Sequence, residues 1–255
     1  MMPLLHVKDL SVPCQGILFD KDGTLLDLLA TWGSWAEEVL LGLGNELALT
    51  GTGSHVDLSK VLGTTHNAEG KVIGYDPSGP LSMATTEESY GILAWQLYTA
   101  GVPWNEALVR VKAIAKDAMN GIRRRRTIEP LPDLLPFLQQ CADASLQLGV
   151  VTSDGDKTTG EQLDLLGITG YFHTIVTRDR VSNGKPDPEM AETACRELGL
   201  LPEQTVIIGD SNADMQLGKG AGLRLSVGIS PAGAAGHLQD ADIVVSGFHE
   251  LRITC

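Results

Sequence analysis

Positive charge is scarce in this sequence of 255 residues. Lysine and arginine together number 19, against 32 aspartates and glutamates, so the formal net charge is −13 at pH 7. A field of this sign repels polyanions, which excludes nucleic acids and anionic membrane surfaces as expected partners. An anionic substrate would therefore have to be held by positive charge placed locally.

Cysteine and long apolar runs are also in short supply. The four cysteines, Cys14, Cys141, Cys195 and Cys255, are widely scattered and form no CxxC pair, which argues against a zinc site and a disulfide framework. We expect free and mostly buried thiols. Nowhere do ~18 apolar residues run together, and the N-terminus lacks the basic segment and apolar core of a secretory signal. We therefore expect a cytoplasmic protein that does not span a membrane.

Short apolar runs that break abruptly into polar loops recur along the chain. Each run predicts a buried strand that ends in a loop, and helical patterns lie between them. The runs are Gly16–Phe19, Leu146–Val151, His173–Val176, Val206–Ile208 and Ile243–Val245. Strands that alternate with helices predict an α/β fold, a doubly wound parallel sheet with helices on both faces.

The stretch from 28 to 128 has a different pattern, because strong strand signals are absent and helical periodicity dominates. The clearest helical patterns are Thr85–Thr99 and Trp104–Met119, and residues 64–80 are interpreted as a long polar loop. We therefore predict two domains. Residues 1–27 and 129–255 form the sheet domain, and residues 28–128 form a helical domain inserted into it.

Four aspartates follow two of the predicted strands. Asp20 and Asp22 come after the first run, and Asp210 and Asp214 come after Val206–Ile208. In an open parallel sheet, ligands bind beyond the carboxyl ends of the strands, so these side chains should share one crevice. Carboxylates this close repel each other unless a cation intervenes, and a hard divalent cation such as Mg²⁺ prefers oxygen ligands. Lys185 then adds a further positive charge.

Four short motifs in a fixed order extend across nearly the whole chain. They are Phe19–Thr24, Val151–Ser153, Gly184–Pro186 and Gly209–Asp214. Taken together they resemble the four motifs of the haloacid dehalogenase superfamily. The helical insert between the first two is similar to the C1 cap of phosphoglycolate-phosphatase-like members. The resemblance implies a Rossmann-like core with a cap that closes over the site, excludes water and admits only small substrates.

The resemblance also implies a role for each aspartate. Asp20 would be the nucleophile and a metal ligand, and Asp22 the general acid and base that also offers its main-chain carbonyl to Mg²⁺. Asp210 would be the other direct protein ligand. Asp214 would support the site by orienting the ligands or by binding the metal through water.

Three further residues are implied as contacts of the substrate phosphate. Thr152 would hydrogen-bond the phosphoryl oxygens, and Ser153 would lie near them at a position that is often asparagine in the family. Lys185 would bridge the phosphate and the nucleophile. Thr152 and Lys185 therefore join Asp20 and Asp22 as candidate catalytic residues.

The carboxylate at Asp22 favours one reaction within the superfamily. Dehalogenases lack it, because a halide leaves without a proton, and the related ion-pumping ATPases have threonine there. We therefore expect a Mg²⁺-dependent phosphatase that hydrolyses a small phosphorylated metabolite, phosphoglycolate-like or a sugar phosphate, through an aspartyl phosphate. The alternatives are a phosphomutase with the same motifs and a catalytically silent binding module. The sequence leaves the physiological substrate and the oligomeric state open.

Two features of the insert have competing interpretations. The basic run Arg123–Arg126 could reach an anionic substrate, but a solvated surface is favoured. Trp32 and Trp35 could line a substrate pocket, or they could pack in the core of the insert.

Overall fold

The computed structural model of the chain describes residues 2–51, 57–125, 128–231 and 235–255, with Ser59 and residues 123–125 described by their backbone alone. The chain divides into two compact units. The first unit is Met1–Asp27 together with Glu129–Cys255, and the second is Leu28–Ile128. Arg126 and the side chains of Arg123, Arg124 and Arg125 lie outside the described residues, so the basic run has no structural account.

The elements are numbered here in chain order. The strands are β1 (Leu4–Val7), β2 (Leu10–Pro13), β3 (Gly16–Phe19), β4 (Thr64–His66), β5 (Val72–Tyr75), β6 (Gln147–Val151), β7 (Thr174–Val176), β8 (Thr205–Gly209), β9 (Leu225–Ile229), β10 (Ile243–Val245) and β11 (Leu251–Thr254). The α-helices are α1 (Ser34–Leu49), α2 (Leu58–Val61), α3 (Pro80–Met83), α4 (Thr86–Thr99), α5 (Trp104–Arg125), α6 (Leu134–Asp143), α7 (Asp156–Leu166), α8 (Glu189–Leu198) and α9 (Asn212–Gly220).

The first unit is built on a six-stranded sheet in the order β10-β9-β8-β3-β6-β7. All five strand pairs are parallel. The chain runs outward from β3 through β6 to β7 and then crosses back to β8, so the strand order reverses between β3 and β8. The predicted α/β fold with a doubly wound parallel sheet is confirmed, and the predicted strands agree within one residue at each end.

Both faces of this sheet are covered, which explains why β3 is a continuous apolar run. Neighbouring residues on a strand point to opposite faces. Leu18 packs with Met190 and Leu217 in a cluster beneath α8 and α9. Phe19 packs in the larger cluster on the other face, with its ring centroid 6.3 Å from that of Phe137. This burial fixes the strand immediately before Asp20.

Strand β9 was missed by the sequence prediction, although all five of its residues are buried. Ser226 and Gly228 interrupt its apolar run. The Ser226 N–H donates to Asp242 Oδ2 at 2.7 Å, and a Cβ at Gly228 would lie 2.8 Å from the Leu238 side chain. Contacts with residues distant in sequence therefore require Ser226 and Gly228 in this strand. The local sequence pattern does not reveal those contacts.

A second, three-stranded antiparallel sheet was also not predicted. Its order is β11-β1-β2, and Leu4 of β1 lies opposite Thr254 of β11. The chain therefore begins and ends, within the described residues, in the same small sheet.

The first unit is continuous across the place where residues 28–128 interrupt it in sequence. The Asp27 N–H donates to the Glu129 carbonyl at 2.8 Å, and Leu26 forms an antiparallel bridge with Pro130. The two segments on either side of the interruption therefore lie next to each other.

The second unit is mostly helical. Its core is formed by α1, α4 and α5 and includes Trp35, Val39, Leu93 and Val111. Trp32 lies edge-on to Trp35, with ring centroids 5.7 Å apart, and packs against the same core. The structure therefore supports the core interpretation of both tryptophans.

The prediction of a polar loop over residues 64–80 was wrong, because β4 and β5 pair as an antiparallel hairpin there. Its turn is closed by Asn67, whose Oδ1 accepts hydrogen bonds from the N–H groups of Glu69 and Lys71. Gly70 adopts φ +81°, a conformation that favours glycine. The many turn residues in this stretch mark the ends of short strands as well as a loop.

The cysteine prediction is confirmed. All four thiols are free, with Cys14, Cys141 and Cys195 buried and Cys255 exposed. Separately, none of the helices in the described ranges combines the length and the apolar character needed to cross a bilayer.

The packing of Phe19 generates a testable prediction. Phe19→Ala should lower the free energy of unfolding of the first unit by about 3–5 kcal/mol, because a fully buried aromatic side chain leaves a cavity. The measurement is the free energy of unfolding obtained from native-state amide hydrogen exchange in β3, β6 and β8. Leu201→Ala, at a side chain that is 61% exposed, is the control and should stay within about 0.5 kcal/mol of wild type. A loss below about 1 kcal/mol for Phe19→Ala would contradict the role given to this core.

Candidate active site

The reversal of strand order between β3 and β8 brings the ends of these two strands side by side. Phe19 lies opposite Ile208, and the Asp20 N–H donates to the Ile208 carbonyl at 2.9 Å. Asp20 and Asp210 therefore leave the sheet from neighbouring strands, in the crevice where open parallel sheets bind ligands.

Three of the four predicted aspartates come together at this crevice. Asp20, Asp210 and Asp214 each present a carboxylate oxygen, and these oxygens lie within 4.8 Å of one another. Asp214 is fully buried, and Asp20 is nearly so. Within the described part of the chain, this is the one group of three or more potential metal-binding side chains.

The side chain of Asp22 does not belong to that group. Its Oδ2 lies 2.5 Å from the ammonium of Lys21. The Asp22 carboxylate therefore contacts a lysine, whereas carboxylate oxygens of Asp20 and Asp210 lie within 4.8 Å of each other. A metal role of Asp22 would rest on its main chain alone, as the resemblance implies.

Asp214 has two functions at once. It closes a capping box at the start of α9, in which its Oδ2 accepts hydrogen bonds from the Ser211 N–H at 3.1 Å and the Ser211 hydroxyl at 2.6 Å. Its other oxygen, Oδ1, lies 2.6 Å from the ammonium of Lys185. The helix cap therefore fixes a carboxylate that also borders the crevice.

Lys185 supplies the local positive charge that the sequence analysis required. Its ammonium contacts the carboxylate of Asp20 as well as that of Asp214, and its side chain is 5% exposed. A buried ammonium is stable only when it is paired, and here two carboxylates share that task.

The pKa values of these groups reflect burial first and neighbouring charges second. Burial raises the pKa of Asp20 to about 7, with Asp214 and Asp22 adding to the rise and Lys185 opposing it. Burial and the charges of Asp20 and Asp214 raise the pKa of Asp210 well above its usual range. Burial alone would lower the pKa of Lys185, but Asp20 and Asp214 outweigh it and the pKa is raised. The carboxylates thus lack positive charge even with Lys185 present.

Two glycines allow the carboxylates to approach. Gly23 has φ +80°, and a Cβ built there would lie 2.0 Å from Asp210 Oδ2. A Cβ at Gly209 would lie 2.5 Å from the Cβ of Asp214. Both motifs therefore require a residue without a side chain at these positions.

Two of the three predicted phosphate contacts lie in the loop after β6, the neighbour of β3 on the side away from β8. Thr152 follows β6, is almost fully buried, and its hydroxyl oxygen accepts a hydrogen bond from the Asp154 N–H at 3.2 Å. Ser153 is half-buried in the same loop. The loops after β3, β6 and β8, together with the first turn of α9, thus carry the predicted site residues other than Lys185.

The sequence analysis missed a buried lysine next to Asp20. Lys21 is 0% exposed and contacts Asp22, Asp154 and Gln162. Burial by itself lowers the pKa of Lys21, but the charges of Asp22 and Asp154 outweigh it and the pKa is raised. The available signal was a lysine only two residues beyond a strand that is buried on both faces.

Asp240 is a second residue that the sequence analysis missed. Its Oδ2 accepts from Asn212 Nδ2 at 2.9 Å, its N–H donates to Asn212 Oδ1 at 2.9 Å, and its Oδ1 lies 3.1 Å from Lys219 Nζ. These bonds hold both ends of α9, the helix that carries Asp214. In the same region His237 Nε2 lies 3.1 Å from the main-chain oxygen of Asp210.

The donor set of the crevice fits a hard divalent cation. It offers three closely spaced carboxylates, all with oxygen ligands, and burial together with the charges of Asp20 and Asp214 raises the pKa of Asp210. Mg²⁺ binds through one or two carboxylates and keeps positions for water and phosphate. Asp20 and Asp210 would bind it directly, with Asp214 beside them.

Comparison with known proteins identifies a family. The model of the haloacid dehalogenase-like hydrolases matches residues 77–227, more than half of the chain. A phosphoglycolate phosphatase from Salmonella typhimurium is 27% identical over 245 residues, which are 93% of this chain and 90% of that protein. The alignment with this relative therefore extends well beyond the residues that the family model matches.

Solved structures agree on the fold. A predicted phosphoglycolate phosphatase from Haemophilus somnus has a TM-score of 0.65 at 19% identity, covering 91% of this chain and 93% of that one. A β-phosphoglucomutase from Clostridium difficile has a TM-score of 0.62 at 18% identity, covering 92% and 91%. At these identities the likeness concerns the fold alone.

The tight approach at Gly23 generates a prediction about metal binding. Gly23→Ala should abolish the rise in Tm that Mg²⁺ produces, because the new methyl group displaces Asp210 Oδ2. For a saturated site that rise corresponds to about 2–4 kcal/mol of stabilisation. The measurement is thermal unfolding with and without excess Mg²⁺.

Gly167→Ala is the matched control for that experiment. Gly167 has φ +69° but no atom within 4 Å of the added Cβ, so it carries the backbone strain without the clash. Gly167→Ala should lose about 1–2 kcal/mol of stability from backbone strain, Gly23→Ala should lose at least as much, and only Gly23→Ala should lose the response to Mg²⁺. An unchanged Mg²⁺ response in Gly23→Ala would place the metal away from Asp210.

Proposed function

The chain belongs to the haloacid dehalogenase-like hydrolases and is a phosphoric monoester hydrolase, and we propose that it hydrolyses a small phosphorylated metabolite through an aspartyl phosphate on Asp20. The observation that carries the proposal is the environment of the Asp20 carboxylate. It lies at the end of β3 between the ammonium of Lys185 and the carboxylates of Asp210 and Asp214. A carboxylate in this position can attack a phosphorus atom whose charge is neutralised around it.

The first step transfers the phosphoryl group to the protein. An oxygen of Asp20 forms a bond to phosphorus as the bond from phosphorus to the substrate oxygen breaks. Asp22 gives its proton to that departing oxygen, which leaves as an alcohol. Lys185, which contacts Asp20, stabilises the negative charge on the phosphoryl oxygens.

The second step returns the protein to its starting state. Water attacks the phosphorus of the aspartyl phosphate, and Asp22, now ionised, accepts a proton from it. The bond between phosphorus and the Asp20 oxygen breaks, which releases inorganic phosphate and regenerates the carboxylate. Asp22 is protonated again for the next substrate.

The roles of Thr152 and Ser153 complete the phosphate pocket. The Thr152 hydroxyl oxygen accepts from the Asp154 N–H, which orients the hydroxyl, and its hydrogen is the group that we propose donates to a phosphoryl oxygen. Ser153 adds a second hydroxyl in the same loop. Bound Mg²⁺ would supply the positive charge that lets a dianionic phosphate approach Asp20 and Asp210.

Residues 28–128 form the unit to which we assign substrate choice. The named activity of the Salmonella typhimurium relative is on phosphoglycolate. A phosphoglycolate-like acid or a sugar phosphate is therefore the proposed substrate class. A phosphate-release screen over small phosphorylated metabolites with Mg²⁺ present, ranked by kcat/KM, tests this assignment.

The same screen separates the proposal from its alternatives. A phosphatase releases inorganic phosphate in step with substrate loss, whereas a phosphomutase converts a phosphosugar into an isomer, which ³¹P NMR of the products detects. A binding module gives neither product. The carboxylates that hydrolysis needs, Asp20, Asp22 and Asp210, are all present.

Asp20→Asn should remove turnover while the fold is retained. The amide is nearly isosteric with the carboxylate but is a poor nucleophile, so kcat should fall by about 10⁴-fold or more. Asp9→Asn, at an exposed aspartate of the same unit, should leave kcat unchanged. A variant of Asp20 that keeps a tenth of the wild-type kcat would show that another group attacks the phosphorus.

Removal of the metal should have the same effect on turnover as removal of the nucleophile. After dialysis against EDTA, phosphate release should cease, and it should return when excess Mg²⁺ is added. Full turnover in the presence of excess EDTA would contradict a metal-dependent reaction.

The two proposed functions of Asp22 can be separated by the leaving group. An alkyl phosphate needs a proton on the departing oxygen, whereas p-nitrophenolate leaves well without one. Asp22→Ala should therefore slow phosphorylation by an alkyl phosphate by about 10²-fold or more and affect p-nitrophenyl phosphate far less. Hydrolysis of the aspartyl phosphate slows in both cases, so rapid quench should show a burst near one equivalent of nitrophenol. Equal slowing of both substrates, without a burst, would remove Asp22 from the acid and base role.

A further inference from the structure

The ammonium of Lys21 lies at the centre of a buried polar network. It is 2.5 Å from Asp22 Oδ2, 3.0 Å from Asp154 Oδ2 and 2.5 Å from Gln162 Oε1. The ammonium thus donates hydrogen bonds to Asp22 and Gln162 and forms a further ion pair with Asp154. The Lys21 side chain is 0% exposed, while those of Asp22 and Asp154 keep 22% and 16%. The ammonium of the network is therefore fully buried, and its two carboxylates are partly exposed to solvent.

Stability alone is a weak reason for a lysine at this position. Taking an ammonium out of water costs several kcal/mol, and a buried ion pair can often be replaced by apolar residues without loss. Leu18 and Phe19, at the end of the preceding strand, are fully buried apolar side chains, so this part of the chain readily accommodates apolar residues. The reason for a lysine at this position therefore lies in the side chains that it contacts, Asp22, Asp154 and Gln162.

The network joins three elements that carry the proposed machinery. Asp22 lies in the loop after β3, Asp154 lies in the loop after β6, and Gln162 lies on α7. The Asp154 N–H in turn donates to the hydroxyl of Thr152. Lys21 thus connects the proposed acid and base to the loop that bears the proposed phosphate contacts.

The two buried lysines of the first unit hold different carboxylates. Lys185 contacts Asp20 and Asp214, and Lys21 contacts Asp22 and Asp154. The nucleophile and the acid are therefore each held by an ammonium of their own, although they are separated by one residue.

We propose that Lys21 is a positioning residue, which holds the Asp22 carboxylate against the leaving oxygen of the substrate by anchoring it to Asp154 and Gln162. The proposal rests on the function proposed above, since it gives Lys21 no contact with the substrate. Because Lys21 acts through Asp22, its loss should slow proton transfer from Asp22 to the leaving oxygen. The nucleophile Asp20 and the phosphate contacts should remain in place.

The test uses Lys21→Met, which keeps the length of the side chain and removes its donors. With the alkyl phosphate that has the highest kcat/KM in the screen, the rate of phosphorylation should fall by about 10-fold or more, with KM within about 3-fold of wild type. With p-nitrophenyl phosphate, the rate of the nitrophenol burst should fall less than about 3-fold. In an Asp22→Ala background, Lys21→Met should have no further effect on the alkyl phosphate.

Lys157→Met is the matched control. Lys157 lies on α7, the helix of Gln162, and is exposed, so the same substitution there should change neither rate. Gln162→Leu removes one anchor of Lys21 and leaves the lysine in place. It should give the same preference for the p-nitrophenyl substrate with a smaller loss on the alkyl phosphate, and it keeps the proposal testable where Lys21→Met does not fold.

Three outcomes overturn the proposal. One is equal slowing of the alkyl and aryl substrates in Lys21→Met and Gln162→Leu. The second is an additive effect of Lys21→Met in the Asp22→Ala background. The third is full recovery of the alkyl rate in the double variant Lys21→Met, Asp154→Asn, which would mean that Lys21 only balances the charge of Asp154.

Failure of this inference can be distinguished from failure of the proposed function. If Asp22→Ala depends on the leaving group and Lys21→Met does not, only the inference about Lys21 is wrong. If Asp22→Ala slows both substrates equally, or wild type releases phosphate from neither, the proposed function itself is wrong.

Discussion

Repulsion between buried carboxylates governs the architecture of the site. Asp20, Asp210 and Asp214 meet at the ends of two neighbouring strands, where water is largely excluded and like charges interact strongly. Lys185 relieves part of this repulsion through Asp20 and Asp214. The ammonium of Lys185 also lowers the pKa of Asp210, but burial and the charges of Asp20 and Asp214 outweigh it. The three carboxylates therefore form a donor set that fits a further cation.

The surrounding fold keeps these charges in place despite their repulsion. Phe19 is buried on one face of β3 and Leu18 on the other, so the strand that delivers Asp20 cannot rotate. Asp214 is fixed by the capping box of α9, and Asp240 holds the same helix from the loop beyond β9. The stability of the apolar layers therefore offsets the electrostatic strain of the crevice, as is usual where function conflicts with stability.

The sequence predicted the fold and the aspartates of the crevice better than it predicted the residues that hold them in place. A buried run that ends in aspartate is a local signal, and it located Asp20 and Asp210 correctly at the ends of β3 and β8. Strand β9 escaped because Ser226 and Gly228 are required by contacts with Asp242 and Leu238, which are distant in sequence. Lys21 escaped for a related reason: whether a lysine is buried depends on acceptors that α7 and the β6 loop bring to it, and no nearby residue reveals them.

The contact between residues 26–27 and 129–130 has a consequence for how the chain can vary. Asp27 and Glu129 are hydrogen-bonded neighbours, and Leu26 bridges Pro130, so the two chain ends that flank residues 28–128 lie as close as the ends of a tight hairpin. Closing such a gap requires only a few residues, and a longer segment adds little entropic cost to folding. The folding of the first unit therefore places little constraint on how long the intervening segment is. A change of length or sequence within residues 28–128 need not disturb β3 or the residues that follow it.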